Sequence, residues 1–461
     1  LAVFLCCGMF AAMAQTAADS LAIVSADWQT EPLQKGMLYK KAVFSSLYGV
    51  PQEVSIFEIS PKRYRFDVLV HNPKEETSIA ARHAGAVAAI NGSYFDMKAG
   101  NSVCYLRKDG VVIDTTSTGV LATVSNGAVL IKKGRLELIP WSKQEEKACT
   151  LKKGTVLASG PLMLKDGQVC DLSGTNRNFV DTKHPRSAVA LTREGKILLI
   201  VVDGRRKGKA EGINIPELAH MIRILGGEDA LNLDGGGSST MVVKTIDDAA
   251  PQLQNTPSDG AQRKVIASVG VFQTAPKGEI KEIGISTVNE HTQPGKTTEF
   301  TVYGLDEYKN RIYIAPEDVK FDVVGMEGTW NGFEFLPSGT GAYSVVATYG
   351  DNMTAVANAT CYPTARLKAT YPDVSIKNVG GTTKIYVTAY DTEGFGRAVT
   401  NDVTYTVANP AIGTMNGNTF TAKAKGSTYV KCSWAGQDTY VTVTVGGAAK
   451  TTAPASTSAA D

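Results

Sequence analysis

From about Ile280 onward the chain repeats itself. Gly328-Thr-Trp-Asn-Gly332 returns as Gly413-Thr-Met-Asn-Gly417, Phe335 is matched by Phe420, and Asp306 by Asp391, all at a shift of 85 residues. Between these markers the chain alternates, as in Thr298-Glu-Phe-Thr-Val-Tyr303 and Lys384-Ile-Tyr-Val-Thr-Ala-Tyr390. Alternation puts every second side chain on one face, which gives half-buried strands, and regular Gly, Asn and Asp turns fold such strands into sandwiches. The spacing predicts two tandem all-β modules, over 279–363 and 364–446. Ala275-Pro-Lys-Gly278 reads as the linker before them. The Ala-, Thr- and Ser-rich stretch 447–461 reads as a disordered tail.

At 461 residues the chain has room for about three domains. That leaves residues 15–274 as one catalytic-size domain in front of the two sandwiches. Lys plus Arg number 47 and Asp plus Glu 45, a net charge of +2. Such a balance supplies no overall field for nucleic acid or an anionic membrane, so neither is expected as a partner. Leu1 to Ala14 is apolar throughout and ends in Ala12-Met13-Ala14. It reads as a signal peptide over 1–14, with an exported protein (periplasmic, cell-surface or secreted) as the expectation. The run is shorter than the about 20 residues a membrane helix needs, and no transmembrane span is expected.

Cleavage there would remove Cys6 and Cys7 and leave Cys104, Cys149, Cys170, Cys361 and Cys432. Cys149 and Cys170 are close enough in sequence to pair, or equally to serve as small buried hydrophobes. With no CxxC, no HExxH and only five histidines, neither a metal nor a cofactor is expected.

The front region mixes strands with a few helices, an α+β pattern. Ile197 to Val202 (ILLIVV) reads as a strand buried on both faces, with Ser187 to Leu191 as its partner. Asn214 to Leu225 reads as an amphipathic helix, with Pro216 in its first turn and Leu218, Met221, Ile222 and Leu225 on one face. Gly226-Gly227 stops it, and Ala230 to Leu233 makes another strand.

Polar residues gather at the ends of these strands. Asn232-Leu-Asp-Gly-Gly-Gly-Ser-Ser239 carries Asp234 into three glycines, whose amides can approach an oxyanion closely. A glycine-rich hairpin with no ligand is an equal reading of the same residues. The string is neither a phosphate-binding Walker loop nor a nucleophile elbow, because Thr240 stands where the elbow needs glycine. Val202-Asp-Gly-Arg205 places a carboxylate and a guanidinium after the buried strand, where open sheets commonly bind ligands. His184-Pro-Arg-Ser187 puts Arg186 at the mouth of another strand, suited to a phosphate or carboxylate. Ala89-Ile-Asn-Gly-Ser-Tyr-Phe-Asp96 sets Asn91, Tyr94 and Asp96 together as a sugar subsite or as a hairpin turn. Ala158-Ser-Gly-Pro161 reads as a plain turn.

Taken in order, Asn91-Gly-Ser-Tyr-Phe95, Ser159-Gly-Pro161, His184-Pro-Arg-Ser-Ala-Val-Ala190, Val202-Asp-Gly-Arg205, Asn232 to Ser239 and Ser268-Val-Gly-Val-Phe272 resemble the phosphodiester glycosidase family. The likeness spans about residues 50 to 273, and the two back modules resemble bacterial Ig-like domains. The resemblance implies hydrolysis of a sugar-1-phosphodiester, such as an N-acetylglucosamine-1-phosphodiester, at the C1–O bond. The products are free sugar and a phosphomonoester, and the partner is a small-molecule or glycan phosphodiester. That chemistry needs a carboxylate at C1 and cationic or amide donors on phosphate. Asp203 and Asp234 are the catalytic candidates. Arg186, Arg205, Gly235, Gly236, Gly237 and Ser238 are candidates for phosphate. Asn91, Gly92, Tyr94, Asp96 and Asn232 are candidates for the sugar. Two other readings stand beside it: a phosphodiesterase attacking phosphorus through Ser238 or a metal, and a non-catalytic protein gripping a surface glycan.

Overall fold

The computed structural model describes residues 17–245, 248, 250–287 and 289–457. The expected signal peptide, with Cys6 and Cys7, lies outside the described residues. No helix among the described residues is long and apolar enough to cross a membrane. The chain divides into two compact units, one ending at Gly278 and joined by Tyr308–Asn310, the other formed by Glu279–Glu307 and Arg311–Asp461.

The first unit is built on three antiparallel sheets. Eight strands form the largest, in spatial order Gln29–Gln34, Met37–Leu47, Val50–Ile59, Ile197–Val202, Arg186–Thr192, Gly227–Asn232, Leu162–Lys165 and Gln168–Val169. The second runs Gln252–Leu253, Met241–Val243, Ala88–Asn91, Val265–Gln273 and Tyr64–Glu75. The third runs Val111–Asp114, Leu106–Lys108, Thr155–Ser159, Gly127–Lys132 and Arg135–Pro140. One core joins all three, with Leu199, Val201 and Leu231 from the first, Ile90 and Val269 from the second, and Val129 and Leu157 from the third.

The ILLIVV strand explains its own composition. Leu199 and Val201 face that shared core, while Leu198, Ile200 and Val202 face a second one under the helix Ile215–Ile224. A strand covered on both sides has no polar face to alternate with. The helix starts where expected. Asn214 Oδ1 accepts from the Glu217 amide at 2.9 Å, and the Glu217 carboxylate accepts from the Asn214 amide at 3.1 Å. Such a reciprocal cap is worth about 1 kcal/mol. Leu218, Met221 and Ile222 are fully buried on its inner face. Gly226, at φ +89°, ends the helix, and Gly227 already belongs to the next strand.

In the second unit the 85-residue repeat is structural. Gly328–Asn331 pairs with Glu334–Pro337, and Gly413–Asn416 pairs with Thr419–Ala422 in the same way. Each hairpin seats a buried phenylalanine against its glycine. A Cβ on Gly328 would lie 2.4 Å from Phe335 Cζ, and one on Gly413 would lie 2.1 Å from Phe420 Cζ. The repeated glycine and phenylalanine are therefore one packing unit, used twice. Each module also pairs a short strand in parallel with its last one: His291–Thr292 on Met353–Cys361, and Asp373–Ile376 on Gln437–Val445.

Three expectations are corrected here. Lys384 to Tyr390 is not one strand, because Thr382–Lys384 pairs with Thr419–Ala422 while Val387–Asp391 pairs with Thr364–Ala369. The break splits into two a sheet that stays whole in the first module. Cys149 and Cys170 are not bridged: all five cysteines among the described residues are free thiols. Part of the tail is held as well. Residues 448–457 have no regular structure, yet the Thr451 amide donates to Ser427 Oγ at 2.9 Å, and the Asp438 amide donates to Thr457 Oγ1 at 2.6 Å. Residues 458–461 lie outside the described residues.

Candidate functional site

Antiparallel register brings the polar strand ends together. Arg186 stands opposite Val202, and Ala188 opposite Asn232, so Arg186, Asp203 and Asp234 all leave the large sheet at one end. The second sheet delivers Asn91 to the same place, with its side-chain amide donating to the Asp234 carbonyl at 2.7 Å.

Asp234 keeps partial exposure while protein surrounds it, the condition of a carboxyl on the floor of a recess. Loss of water pushes its pKa up to about 6, against the opposing pull of Ser238, Arg263, the Gly235 amide and Arg186. At neutral pH it is mostly a carboxylate, poorly hydrated and basic enough to act.

Cations line this recess. Arg186 is buried, and its Nη2 donates to the carbonyls of Phe179 and Thr182, both at 2.9 Å, while Nε donates to Ile213 at 3.2 Å. Its guanidinium also lies over the Phe179 ring, 4.8 Å from the centroid. Burial lowers its pKa to about 10, so it stays charged. No carboxylate pairs with it among the described residues. Arg205 is exposed at φ +60°, with its guanidinium spread over the glycine loop. Arg263 pairs with Asp259 at 2.7 Å and reaches Ser238 Oγ at 3.4 Å.

The three glycines do a different job from the one expected. The Gly236 amide donates to the Pro185 carbonyl at 2.9 Å, and the Gly235 amide serves Asp234 itself. Two of the three amides are thus committed, which corrects the picture of an open amide cradle. What glycine supplies is room. A Cβ at Gly235 would sit 2.6 Å from the Pro185 carbonyl oxygen, and one at Gly237 would sit 2.2 Å from Arg263 Nη2. Gly236 is at φ +64°, with the Arg205 guanidinium 3.1 Å from where its Cβ would be. The Pro185 backbone leaves no room for a side chain at Gly235, while one at Gly236 or Gly237 would displace the end of the Arg205 or Arg263 side chain.

Asp203 is placed otherwise. It is buried, its Oδ1 accepts from Asn255 Nδ2 at 2.9 Å, and its Oδ2 accepts from the Thr256 amide at 2.9 Å and Arg206 Nη2 at 3.2 Å. Arg206 in turn pairs with Glu53. Burial raises its pKa against these hydrogen bonds. Asn255 continues the network, donating to the Ser239 carbonyl at 3.1 Å and accepting from the Met241 amide at 2.9 Å. Asp203 therefore braces the segment that supports the glycine loop.

The five residues expected to touch sugar are also committed internally. Asn91 Oδ1 accepts from Ser187 Oγ at 2.7 Å and from the Thr240 amide at 3.1 Å. Gly92 passes so close to the second sheet that a Cβ would lie 2.7 Å from the Ala267 carbonyl oxygen. Tyr94 is buried, donates to the Gly160 carbonyl, and accepts from Asn232 Nδ2 at 2.7 Å. Asn232 also donates to the Gly160 carbonyl at 2.9 Å. Asp96 is exposed and caps a turn through the Lys98 and Ala99 amides at 2.7 and 2.8 Å. Asn91, Gly92, Tyr94 and Asn232 thus belong to a buried frame behind the recess, while Asp96 caps an exposed turn. Ser159-Gly160-Pro161, read as a plain turn, is part of that buried frame. Among the described residues no cluster of three or more His, Cys, Asp or Glu is arranged to hold a metal ion.

Four residues of the site escape a reading by sequence. Arg263, Asp259 and Asn255 lie on a polar stretch with no motif of its own. His184 is half-buried near Arg186 and Arg205, and burial with those two charges lowers its pKa. Its neighbour Pro185 drew attention only through Arg186. The signal available for the other three was proximity to the strand Val265–Gln273, which pairs with Ala88–Asn91.

Residues 84–272 match the family model described as phosphodiester glycosidase. The chain is 28% identical over 201 residues to N-acetylglucosamine-1-phosphodiester alpha-N-acetylglucosaminidase of Mus musculus, covering 41% of this chain and 36% of that protein. It is 27% identical over 202 residues to an SPbeta prophage-derived uncharacterized protein of Bacillus subtilis, covering 43% and 30%. The chain thus spans about a third of the length of these curated relatives. Among solved structures, the zebrafish N-acetylglucosamine-1-phosphodiester alpha-N-acetylglucosaminidase catalytic domain, auto-inhibited by pro-peptide, aligns at 21% identity. That alignment has a TM-score of 0.42 and covers 53% of this chain and 84% of that one. Through residues 84–272, the chain carries a domain of the phosphodiester glycosidase family.

Proposed function

We propose that the first unit hydrolyses a glycosyl phosphodiester at the sugar C1–O bond, with the Asp234 carboxylate acting at C1. The observation that carries this is a single recessed carboxylate, pushed up to about 6, with Arg186, Arg205 and Arg263 around it. A phosphodiester brings one negative charge and leaves as a phosphomonoester, so guanidinium groups favour both its binding and its departure. Because phosphate leaves readily, one carboxylate does most of what two do for an ordinary glycoside. Asp203, with its oxygens occupied, positions the loop and does not react. The Mus musculus relative is named for action on an N-acetylglucosamine-1-phosphodiester, and that sugar is the first to try. Export, to the periplasm, cell surface or medium, belongs to the same proposal and rests on the apolar stretch 1–14.

The test is hydrolysis of a panel of sugar-1-phosphodiesters in 18O-labelled water. Cleavage at C1 puts the label in the sugar. Label in the phosphate would overturn the reading in favour of attack on phosphorus, for which Ser238 stands beside Asp234.

A further inference from the structure

We propose that Arg263, steered by Asp259, is a positioning residue that orients the Asp234 carboxylate through the Ser238 hydroxyl. The inference rests on the reading of Asp234 given above.

An exposed Arg–Asp pair at i, i+4 ordinarily contributes little. This one is built into its surroundings. Both Arg263 Nε and Nη2 donate to the same Asp259 oxygen, at 2.9 and 2.7 Å, which fixes the plane of the guanidinium. The remaining nitrogen, Nη1, reaches Ser238 Oγ at 3.4 Å, and the Ser238 hydroxyl favours the Asp234 carboxylate. The pair lies against the backbone of Gly237, where a Cβ would stand 2.2 Å from Arg263 Nη2 and 2.2 Å from Asp259 Oδ1. Any side chain at position 237 would push the guanidinium away from Ser238.

The backbone carrying Arg263 is pinned on both sides. Asn255 ties its upstream end to Asp203 and Ser239. Downstream, Val265 opens a strand of the second sheet. Next to Arg263, Gln262 exchanges two hydrogen bonds with Ser78, its Nε2 donating to Oγ at 3.0 Å and its Oε1 accepting from the amide at 3.1 Å. A surface pair with no further task has no need of such an anchor. The arrangement gives Asp203 a role as well, since it holds the segment that aims Arg263.

The groups facing Asp234 are Arg263, Ser238 and the Gly235 amide from its own loop side, Arg186 from the neighbouring strand, and Tyr94 and Cys104 from behind. Arg263 and Arg186 favour the carboxylate, while the buried phenol and thiol do not. Removing the Arg263 charge therefore raises the Asp234 pKa, by roughly one unit for a partly screened neighbour.

The experiment compares full-length protein with Arg263→Met, Arg263→Lys and Asp259→Asn. The Asp234 carboxyl is titrated by 13C NMR in Asp-labelled protein without substrate, with Asp234→Asn assigning the resonance, and pH–rate profiles are recorded in parallel. Expected results are an upward displacement of the Asp234 titration and of the acid limb in Arg263→Met, with kcat down tenfold or more. Arg263→Lys should hold the titration near its parent value, and Asp259→Asn should fall between. A titration and acid limb that stay in place in a folded Arg263→Met protein would overturn the proposal. Should the parent show no hydrolysis, the reaction assigned above fails, and the NMR titration still decides whether Arg263 governs Asp234.

Discussion

Asp203 and Asp234 follow two strands of one sheet, Ile197–Val202 and Gly227–Asn232, which flank Arg186–Thr192, and each leads into glycine. Their surroundings make them different chemical objects. Asp203 is sealed, and both oxygens accept from fixed donors on Asn255, Thr256 and Arg206. Asp234 sits in a recess, with arginines near it and part of its surface open. A carboxylate with fixed donors on both oxygens stabilises a loop; one left with fewer keeps its basicity for a substrate. Position at a strand end is necessary for both roles and decides neither.

The sharpest way to break that contrast is to neutralise each in turn. Asp234→Asn should lower kcat by about a thousandfold or more, with the fold intact. Its melting temperature should hold or rise, because the charged form is the one that burial penalises. Asp203→Asn should do the reverse: an amide there turns a donor toward donors, costing about 1–3 kcal/mol of stability, with kcat within about tenfold of the parent where the protein remains folded. Denaturant titration beside steady-state kinetics separates the two. Equal loss of kcat in both, at unchanged stability, would make Asp203 a reacting group after all.

Arg205→Ala comes next. Its side chain is exposed and has no ion-pair partner among the described residues, so stability should stay within about 0.5 kcal/mol while kcat/KM falls about tenfold to a hundredfold, measured on a sugar-1-phosphodiester. Gly236→Ala should cost about 1–2 kcal/mol, since φ is +64° and the new methyl meets Arg205, and it should weaken substrate binding by moving that guanidinium.

The smallest effect sharpens the comparison through pH. Activity that needs the Asp234 carboxylate should fall on acidification through about pH 6. Stability runs the other way. A carboxyl with its pKa raised from 3.8 to about 6 lends full stability below about pH 4 and loses it as pH climbs through 6, by at most about 2 kcal/mol for a partly exposed group. Thermal melts of the parent and of Asp234→Asn should lie closest below about pH 4, where both side chains are neutral, and separate as pH rises through 6.

The sandwiches were the most legible part of the chain. A glycine that must face a phenylalanine has to be repeated whenever the hairpin is repeated, so the 85-residue shift exposes the packing directly. Even there, the crossing of Thr382–Asp391 from one strand partner to another left no mark in its alternation, because both halves bury the same parity of residues.

Within the first unit, local pattern alone determined the buried strand Ile197–Val202, the capped helix after Asn214 and the loop after Asp234. Each depends on neighbours a few residues away: an apolar run, a side-chain cap, a glycine. Tertiary structure decided what those elements do. It spent Asn91, Tyr94 and Asn232 on the frame, gave the glycines over to clearance for Pro185, Arg205 and Arg263, and separated the two aspartates. Hydrogen-bond partners as far as 149 residues apart make those decisions. A carboxylate's character is set by how many donors reach it and how much water remains, and both are properties of the packed site.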